Sequence, residues 1–418
     1  MERVSAQRLA EWVADARERW SVPGIAVGLF CDGETFVVAD GVCELGGDAR
    51  VSPETAFRIA SITKPFTATL ALALAQDGLL ALDEPPPGSR VEATIRQLLS
   101  HQGGLACEWP SALEELGRGE GGLQRIAEGE PPRLPVGPGE LFSYCNVGFW
   151  LVGAAVARAC ETSFPAAIRT RVLEPLDLAA TRFEPRQASR GHEQTEPGSD
   201  EHVVFDHPYP KTRTPSGGLW STVGDLLRFA DHHLGGPGPL SRESVQELQQ
   251  PHIPAPGGSY GLGWFLRESA GRRIVEHPGS AAGFESLLSL VPEERFGFAA
   301  LSNSSRGSAP IRELLERLGL GSTGAADFEL APEQLAAFGG TYSGNGIEVE
   351  VVPENGRLSV AVTFLDPFSG ENVIYPPVLA RPVAEREFEV VDGELRGERF
   401  TFPRDGFVCM GVLAARTE

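Results

Sequence analysis

The stretch FRIASITKPFTATLALALAQ (57–76) decides how this chain is read. From Ser61 to Gln76 its residues are mostly Ala, Leu and Thr, apolar nearly all round, and the pattern stops near Gly78. A helix without a polar face belongs at the centre of a domain. At its start Ser61 and Lys64 stand three residues apart, so hydroxyl and ammonium share one face. The lysine is itself an anomaly, because of 36 basic residues only Lys64 and Lys211 are lysines. A buried lysine can lose its proton and accept one from a serine hydroxyl, whereas arginine stays charged and has no acceptor. The pair therefore reads as a nucleophile with its activating base. Taken alone, S-x-x-K is common by chance.

Length and composition set the frame around this helix. A chain of 418 residues, 41% hydrophobic, fits two or three domains with a substantial core. Its longest apolar run, around Leu70 to Ala75, falls far short of the ~20 residues a membrane span needs. The opening MERVSAQRLAEWVADARERW lacks the apolar core of a signal peptide. It reads as an amphipathic helix capped by Ser5 and ended before Pro23. The six cysteines show no paired spacing and read as thiols of a reducing compartment, so a cytoplasmic location is expected. A net charge of -21 argues against nucleic acid and anionic membranes as partners.

Strand and helix patterns alternate through the first half of the chain, which suggests a mixed α/β (α+β) domain. GIAVGLFC (24–31) and ETFVVAD (34–40), joined by Asp32-Gly33, read as an antiparallel hairpin. RRIVEH (272–277), FESLLSLV (284–291) and FGFAALS (296–302) are later strands, followed by a helix at about 308–319. These five strands can share one antiparallel sheet with the helices packed on it. Residues 186–215 form a long irregular excursion, a length more often functional than structural. GSTGAAD (321–327) reads as a linker. Beyond it, short alternating strands separated by Asn355-Gly356, Asp392-Gly393 and Asp405-Gly406 predict a small all-β barrel or sandwich. The domains are accordingly drawn as 1–322 and 323–418.

Two further constellations join Ser61 and Lys64. In Tyr144-Cys145-Asn146 a phenol can shuttle protons beside a cationic lysine, and an asparagine two residues on can hold a substrate carbonyl or amide. In His277-Pro278-Gly279-Ser280, at a strand end, the glycine lets a substrate approach the backbone. The N–H groups of Ser61 and Ser280 can together form an oxyanion hole.

These three motifs, in this order and span, resemble the serine β-lactamase and penicillin-binding-protein superfamily, in particular its class C β-lactamase-related esterase and D-aminopeptidase branch. LLSHQGGL (98–105), PSGGLWSTVGDLLRF (215–229) and YGLGWFL (260–266) are similar to that branch too. The resemblance covers roughly residues 10–320. It implies a β-lactamase-like fold with a central antiparallel sheet flanked by helices. It also implies an acylated nucleophile at Ser61, activation by Lys64, proton shuttling by Tyr144 and substrate positioning by Asn146. His277 stands where many members carry the lysine of a K-T-G motif that binds a substrate carboxylate, with Gly279 on the sheet edge. A mostly neutral histidine binds that carboxylate less well. Efficient β-lactam hydrolysis is therefore not expected.

The expected activity is a serine hydrolase working on ester or amide bonds of small molecules or short D-amino-acid peptides. Alternatives on the same fold are a peptide cyclase or acyl transferase, a weak β-lactamase, and a catalytically silent binding protein. No cofactor is required, and nothing in the sequence sets the oligomeric state. Related aminopeptidases and peptide cyclases carry lipocalin-like C-terminal modules, and DPFSGEN (366–372) is the loop expected to reach the active-site mouth. Gly257-Gly258-Ser259-Tyr260-Gly261 matches the nucleophile elbow G-x-S-x-G but lacks the following helix, so it is taken as accidental. Lys211-Thr212-Arg213 mimics K-T-G without its glycine, and Lys211 reads as a solvated charge. His192, Glu193, His202, Asp206 and His207 match no common zinc spacing, so no metal is expected. His232-His233 is expected to face a helix dipole.

Overall fold

The structure, a computed structural model, describes residues 4–31, 33–109, 111, 119, 121–185, 187–196, 199–205, 209–321, 328–344, 346–365, 372–393 and 395–417. The first helix, α1 (Ala6–Arg19), begins as expected, with the Ser5 hydroxyl accepting from the Arg8 amide. The hairpin β1 (Gly24–Cys31) and β2 (Glu34–Gly41) pairs in register from Gly24↔Gly41 to Cys31↔Glu34. α2 (Thr63–Gln76) is the apolar helix, and twelve of its fourteen residues are buried. α3 (Asn146–Ala159), α4 (Val223–His233) and α5 (Ser308–Arg317) complete the main helices around the sheet.

Six later strands extend the hairpin: β3 (Ile253–Ala255), β4 (Gly258–Tyr260), β5 (Phe265–Ser269), β6 (Arg272–Ala281), β7 (Phe284–Val291) and β8 (Phe296–Ser302). The sheet order is β2-β1-β8-β7-β6-β5-β4-β3, antiparallel throughout. The five strands expected from the sequence form its contiguous run β2-β1-β8-β7-β6. β3 and β4 are too short to show a period and emerge only through their neighbours.

Helices cover both faces, so the inner strands alternate between two cores. Ile25, Val27 and Leu29 of β1 pack with α1 and α5, while Ala26 and Phe30 pack with α2, α3 and α4. That double burial is why β1 reads as a continuous apolar run. Phe66 of α2 stacks on Phe229 of α4 with ring centroids 3.8 Å apart. Truncating either ring costs about 3–5 kcal/mol.

The C-terminal region is a closed eight-stranded barrel: β9 (Gly340–Gly344), β10 (Ile347–Glu354), β11 (Arg357–Leu365), β12 (Asn372–Ala384), β13 (Glu387–Val390), β14 (Arg399–Thr401), β15 (Phe407–Met410) and β16 (Val412–Arg416). Its strands follow the up-and-down order, and β9 closes onto β16. Closure removes the exposed edges that an open sheet would leave. Asn355 and Gly356 form the expected turn, both with positive φ. Residues 322–327 of the linker, with the domain boundary drawn there, lie outside the described residues, as do residues 366–371 of the DPFSGEN loop. Among the described residues no helix is long and apolar enough to cross a membrane.

Candidate active site

Ser61 sits in a single 3-10 turn, Ala60–Ile62, that leads into α2. Ala60 just before it is held at φ +45°, a left-handed conformation that stores roughly 1–3 kcal/mol of strain in a non-glycine residue. The surrounding contacts impose it. Ile59 accepts a hydrogen bond from the Ser286 hydroxyl at 3.0 Å, and the same hydroxyl donates to the Gly279 carbonyl at 3.1 Å. β6 thus lies directly against the Ser61 turn. A Cβ on Gly279 would stand 2.3 Å from the Ile59 oxygen and 3.1 Å from the Ser61 nitrogen. Only glycine fits there. β5 pairs with β6 no further than Glu276, which leaves the far edge of residues 277–281 without a strand partner among the described residues. The exposed Ser280 lies on that stretch, and its hydroxyl bonds to Glu285, its cross-strand neighbour.

Lys64, one turn on, is wholly enclosed. Its Nζ donates to Ser61 Oγ at 3.0 Å and to the Ser216 carbonyl at 2.9 Å. It also lies 4.6 Å from the centre of the Tyr144 ring and 5.5 Å from that of Phe149. Burial pulls the amine down from its ordinary value to about 7. Near neutral pH about half the molecules therefore hold an uncharged amine within reach of a serine hydroxyl. The residues that cage it come from the PSGG segment, where Trp150 Nε1 donates to Ser216 Oγ at 2.9 Å and Thr67 Oγ1 to the Pro215 carbonyl at 2.7 Å.

Tyr144 hydrogen-bonds Ser61 through its hydroxyl, and burial pushes its phenol well above the ordinary tyrosine value. It therefore stays protonated at neutral pH. The irregular segment carrying it is tied to His101. The Ser143 amide donates to the His101 carbonyl at 3.0 Å, and the Cys145 amide to His101 Nδ1 at 3.0 Å. His101 is itself left-handed, at φ +59°. Asn146 opens α3, and its side-chain nitrogen donates to Glu108 Oε1 at 2.5 Å. Glu108 is paired with Arg213, whose side chain is 3% exposed. A buried ion pair thus underlies the asparagine, and neither member was anticipated. Two thiols flank the same ground. Burial pushes Cys107 up and Cys145 up to about 12, which keeps both protonated and unreactive.

His277 turns away from open space. Its Nδ1 lies 2.6 Å from the Pro278 carbonyl, and its Nε2 lies 3.1 Å from the Tyr260 hydroxyl. Burial brings it down to about 3, so it carries no charge at neutral pH. Tyr260 belongs to the G-x-S-x-G match at 257–261, which forms a β-hairpin with no following helix and so is no nucleophile elbow.

Lys211 is exposed, whereas Arg213 two residues later enters the site. His192 gives both ring nitrogens to protein: Nδ1 to the Asn303 carbonyl at 2.8 Å and Nε2 to the Leu45 amide at 3.1 Å. Its 191–194 strand also donates to the β6–β7 turn, from the His192 amide to the Gly283 carbonyl at 3.1 Å. The excursion thereby walls one side of the sheet end. Asp206 and His207 lie outside the described residues. His232 and His233 do not act as charges on a helix dipole. Both are buried, burial lowers both below the ordinary value, and His233 Nε2 lies 3.1 Å from Thr69 Oγ1.

Residues 9–320 match the β-lactamase family. The chain is 29% identical over 374 residues to penicillin-binding protein 4 of Amycolatopsis lactamdurans, covering 79% of this chain and 95% of that protein. Among solved structures it is similar to SurE, with a TM-score of 0.77 and 23% identity over 98% of both chains. A second structure of that protein, described with D-Leu, gives a TM-score of 0.74 and 22% identity, covering 98% of this chain and 99% of that one. A class C β-lactamase from Rhodobacter sphaeroides gives 0.62 and 21%, covering 74% of this chain and 99% of that one. At these identities the structural likenesses bear on the fold alone. The first two span the barrel as well.

Proposed function

The chain belongs to the β-lactamase family, and from that premise we propose that it is a serine hydrolase acting through an acyl-Ser61 intermediate. The observation that carries this reading is the enclosed Lys64 amine, brought to about 7 by burial and placed 3.0 Å from Ser61 Oγ. The neutral amine takes the Ser61 proton as Oγ attacks an ester or amide carbonyl. The carbonyl oxygen becomes an oxyanion held by the N–H groups of Ser61 and Ser280. As the tetrahedral intermediate collapses, the leaving group departs with a proton relayed from Lys64 through the Tyr144 hydroxyl. Water then attacks the acyl-enzyme, its proton passes along the same path to Lys64, and as the acyl group leaves as the free acid Lys64 returns that proton to Ser61 Oγ.

The substrate class in this reading is small esters or amides and short peptides bearing D-residues, with Asn146 and the edge at Gly279 aligning the acyl group. Support for the D-configuration comes from the relative described with D-Leu. His277 is uncharged and committed to Tyr260, which argues against the carboxylate recognition that β-lactams need. Six unpaired cysteines support a cytoplasmic location.

The test is chemical. A fluorophosphonate adduct on Ser61, seen by mass spectrometry, should accompany p-nitrophenyl ester turnover that is lost in Ser61→Ala and Lys64→Arg. Neither adduct nor turnover would leave a silent binding protein. Near-wild-type rate in Lys64→Arg would remove the proton-transfer role of Lys64. Rates on D-amino-acid anilides and a chromogenic cephalosporin, set beside the ester rate, then rank the substrate class. A cephalosporin rate equal to the ester rate would overturn the argument from His277.

A further inference from the structure

Tyr144 lies in a segment without regular structure, between Leu141 and the start of α3 at Asn146. A proton relay needs placement to within about 0.5 Å, which an unsupported loop does not provide. On one side the segment is held by His101, through the residues before and after the tyrosine. On the other side it is held by the barrel. The Tyr144 amide donates to the carbonyl of Gly411 at 2.8 Å. The Leu413 amide donates to Ser143 Oγ at 3.2 Å, and the Cys409 thiol approaches the Phe142 carbonyl at 3.7 Å. Three successive residues, 142 to 144, are thus matched by the turn that joins β15 to β16.

This contact is no loose touch between domains. Cys409 and Leu413 are buried in one apolar cluster with Val136, Phe142, Ile253 and Tyr260. Tyr260 is the residue that engages His277. The turn itself is the tightest kind, with Met410 paired to Val412 across Gly411. Gly411 sits at φ +86°, and a Cβ there would meet nothing within 4 Å. Glycine is required by the backbone conformation that aims its carbonyl at Tyr144, since no neighbour crowds it.

We propose that the Met410–Gly411–Val412 turn of the barrel positions Tyr144, so that the C-terminal domain is part of the apparatus for proton transfer at Ser61. This rests on the reading of Tyr144 as a proton relay. Gly411 is a positioning residue, since it touches neither the reacting atoms nor the substrate. The barrel then has a catalytic reason to be present beyond covering apolar surface, and its loss would be felt in turnover more than in substrate affinity.

The test uses the full chain and p-nitrophenyl butyrate. Gly411→Ala is expected to lower kcat about tenfold and leave KM within about twofold, the pattern of a displaced catalytic group. Gly356→Ala meets the same conformational demand at φ +76° in a barrel turn whose Cβ position is also open, and it should leave kcat unchanged. In a Tyr144→Phe background Gly411→Ala should have no further effect on kcat. An equal loss in that background, or an equal loss in Gly356→Ala, overturns the proposal. If Tyr144→Phe itself keeps the wild-type rate, the relay reading falls. Hydrogen exchange at the Tyr144 amide then decides the clamp, which requires acceleration by Gly411→Ala and none by Gly356→Ala. Should Gly411→Ala fail to fold, Ser143→Ala removes the acceptor of Leu413 from the other side and is expected to reduce kcat about threefold by the same argument. An unchanged kcat and unchanged amide exchange in that variant overturn the proposal.

Discussion

Replacing Lys64 with methionine separates what this residue does for chemistry from what it does to stability. Methionine is of similar length and carries no charge. Lys64 is wholly buried, and its amine falls from an ordinary 10.5 to about 7 on folding. Between those values the unfolded chain binds more protons than the folded one. Stability therefore rises with pH from about 7 to about 10.5, and the penalty of burying the amine stands in full below about pH 7. A fall of roughly 3.5 on the pH scale, at about 1.4 kcal/mol each, makes the full penalty about 5 kcal/mol. It is about 4 kcal/mol at neutral pH, where the folded amine is half protonated. Methionine gives up the hydrogen bonds to Ser216 and Ser61, about 1 kcal/mol each. Lys64→Met is thus expected to be more stable than the wild type by about 2 kcal/mol near neutral pH. The gain should vanish near about pH 9, and ester turnover should be abolished throughout. Urea unfolding followed by tryptophan fluorescence across about pH 6 to 9.5 measures this. A variant less stable than wild type at about pH 6, or a gain that does not shrink with rising pH, refutes the reasoning.

Three other outcomes follow from the same geometry. The rate constant kcat/KM for p-nitrophenyl esters should rise with pH through a limb near about 7, set by the Lys64 amine, and Tyr144→Phe should lower the plateau without moving that limb. Glu108→Gln removes a negative charge that favours the protonated lysine, so stopped-flow pH profiles should show the limb moved to lower pH. The same change leaves Arg213 buried without its counter-charge and should cost about 3–5 kcal/mol in chemical denaturation. Gly279→Ala drives a Cβ to 2.3 Å from the Ile59 carbonyl and 2.4 Å from Ser286 Oγ. It should lower stability by about 1–3 kcal/mol and ester turnover by at least about tenfold, read by thermal unfolding and initial rates.

Much of this molecule is legible in the one-dimensional pattern, because the relevant physics is local. An apolar helix of Ala, Leu and Thr had to be central, and α2 is. Gly33, and Asn355 with Gly356, required hairpin turns, and they form them. Ser61 and Lys64, three residues apart, had to point the same way; Ser61 lies in the 3-10 turn that precedes α2 rather than in the helix itself, and their side-chain heads are 3.0 Å apart. The lysine in an arginine-writing chain already implied a nitrogen that must be able to lose its proton. What escaped the sequence depends on contacts between distant segments. Glu108 and Arg213 are separated by more than a hundred residues, and each alone looks like a surface charge. The left-handed Ala60 gives no compositional signal, since glycine is the residue that usually announces such a backbone. Whether His277 would face a substrate or a neighbour depended on Tyr260, seventeen residues away on another strand. Gly411 reads as one more hairpin glycine until the barrel is docked and its carbonyl meets the Tyr144 amide. The sequence by itself determined which residues carry functional groups suited to acyl transfer, because that suitability resides in the groups themselves. Tertiary structure alone decided how far burial shifts the Lys64 amine and which distant segments touch the Tyr144 segment, because desolvation and long-range contacts belong to surroundings assembled from the whole chain.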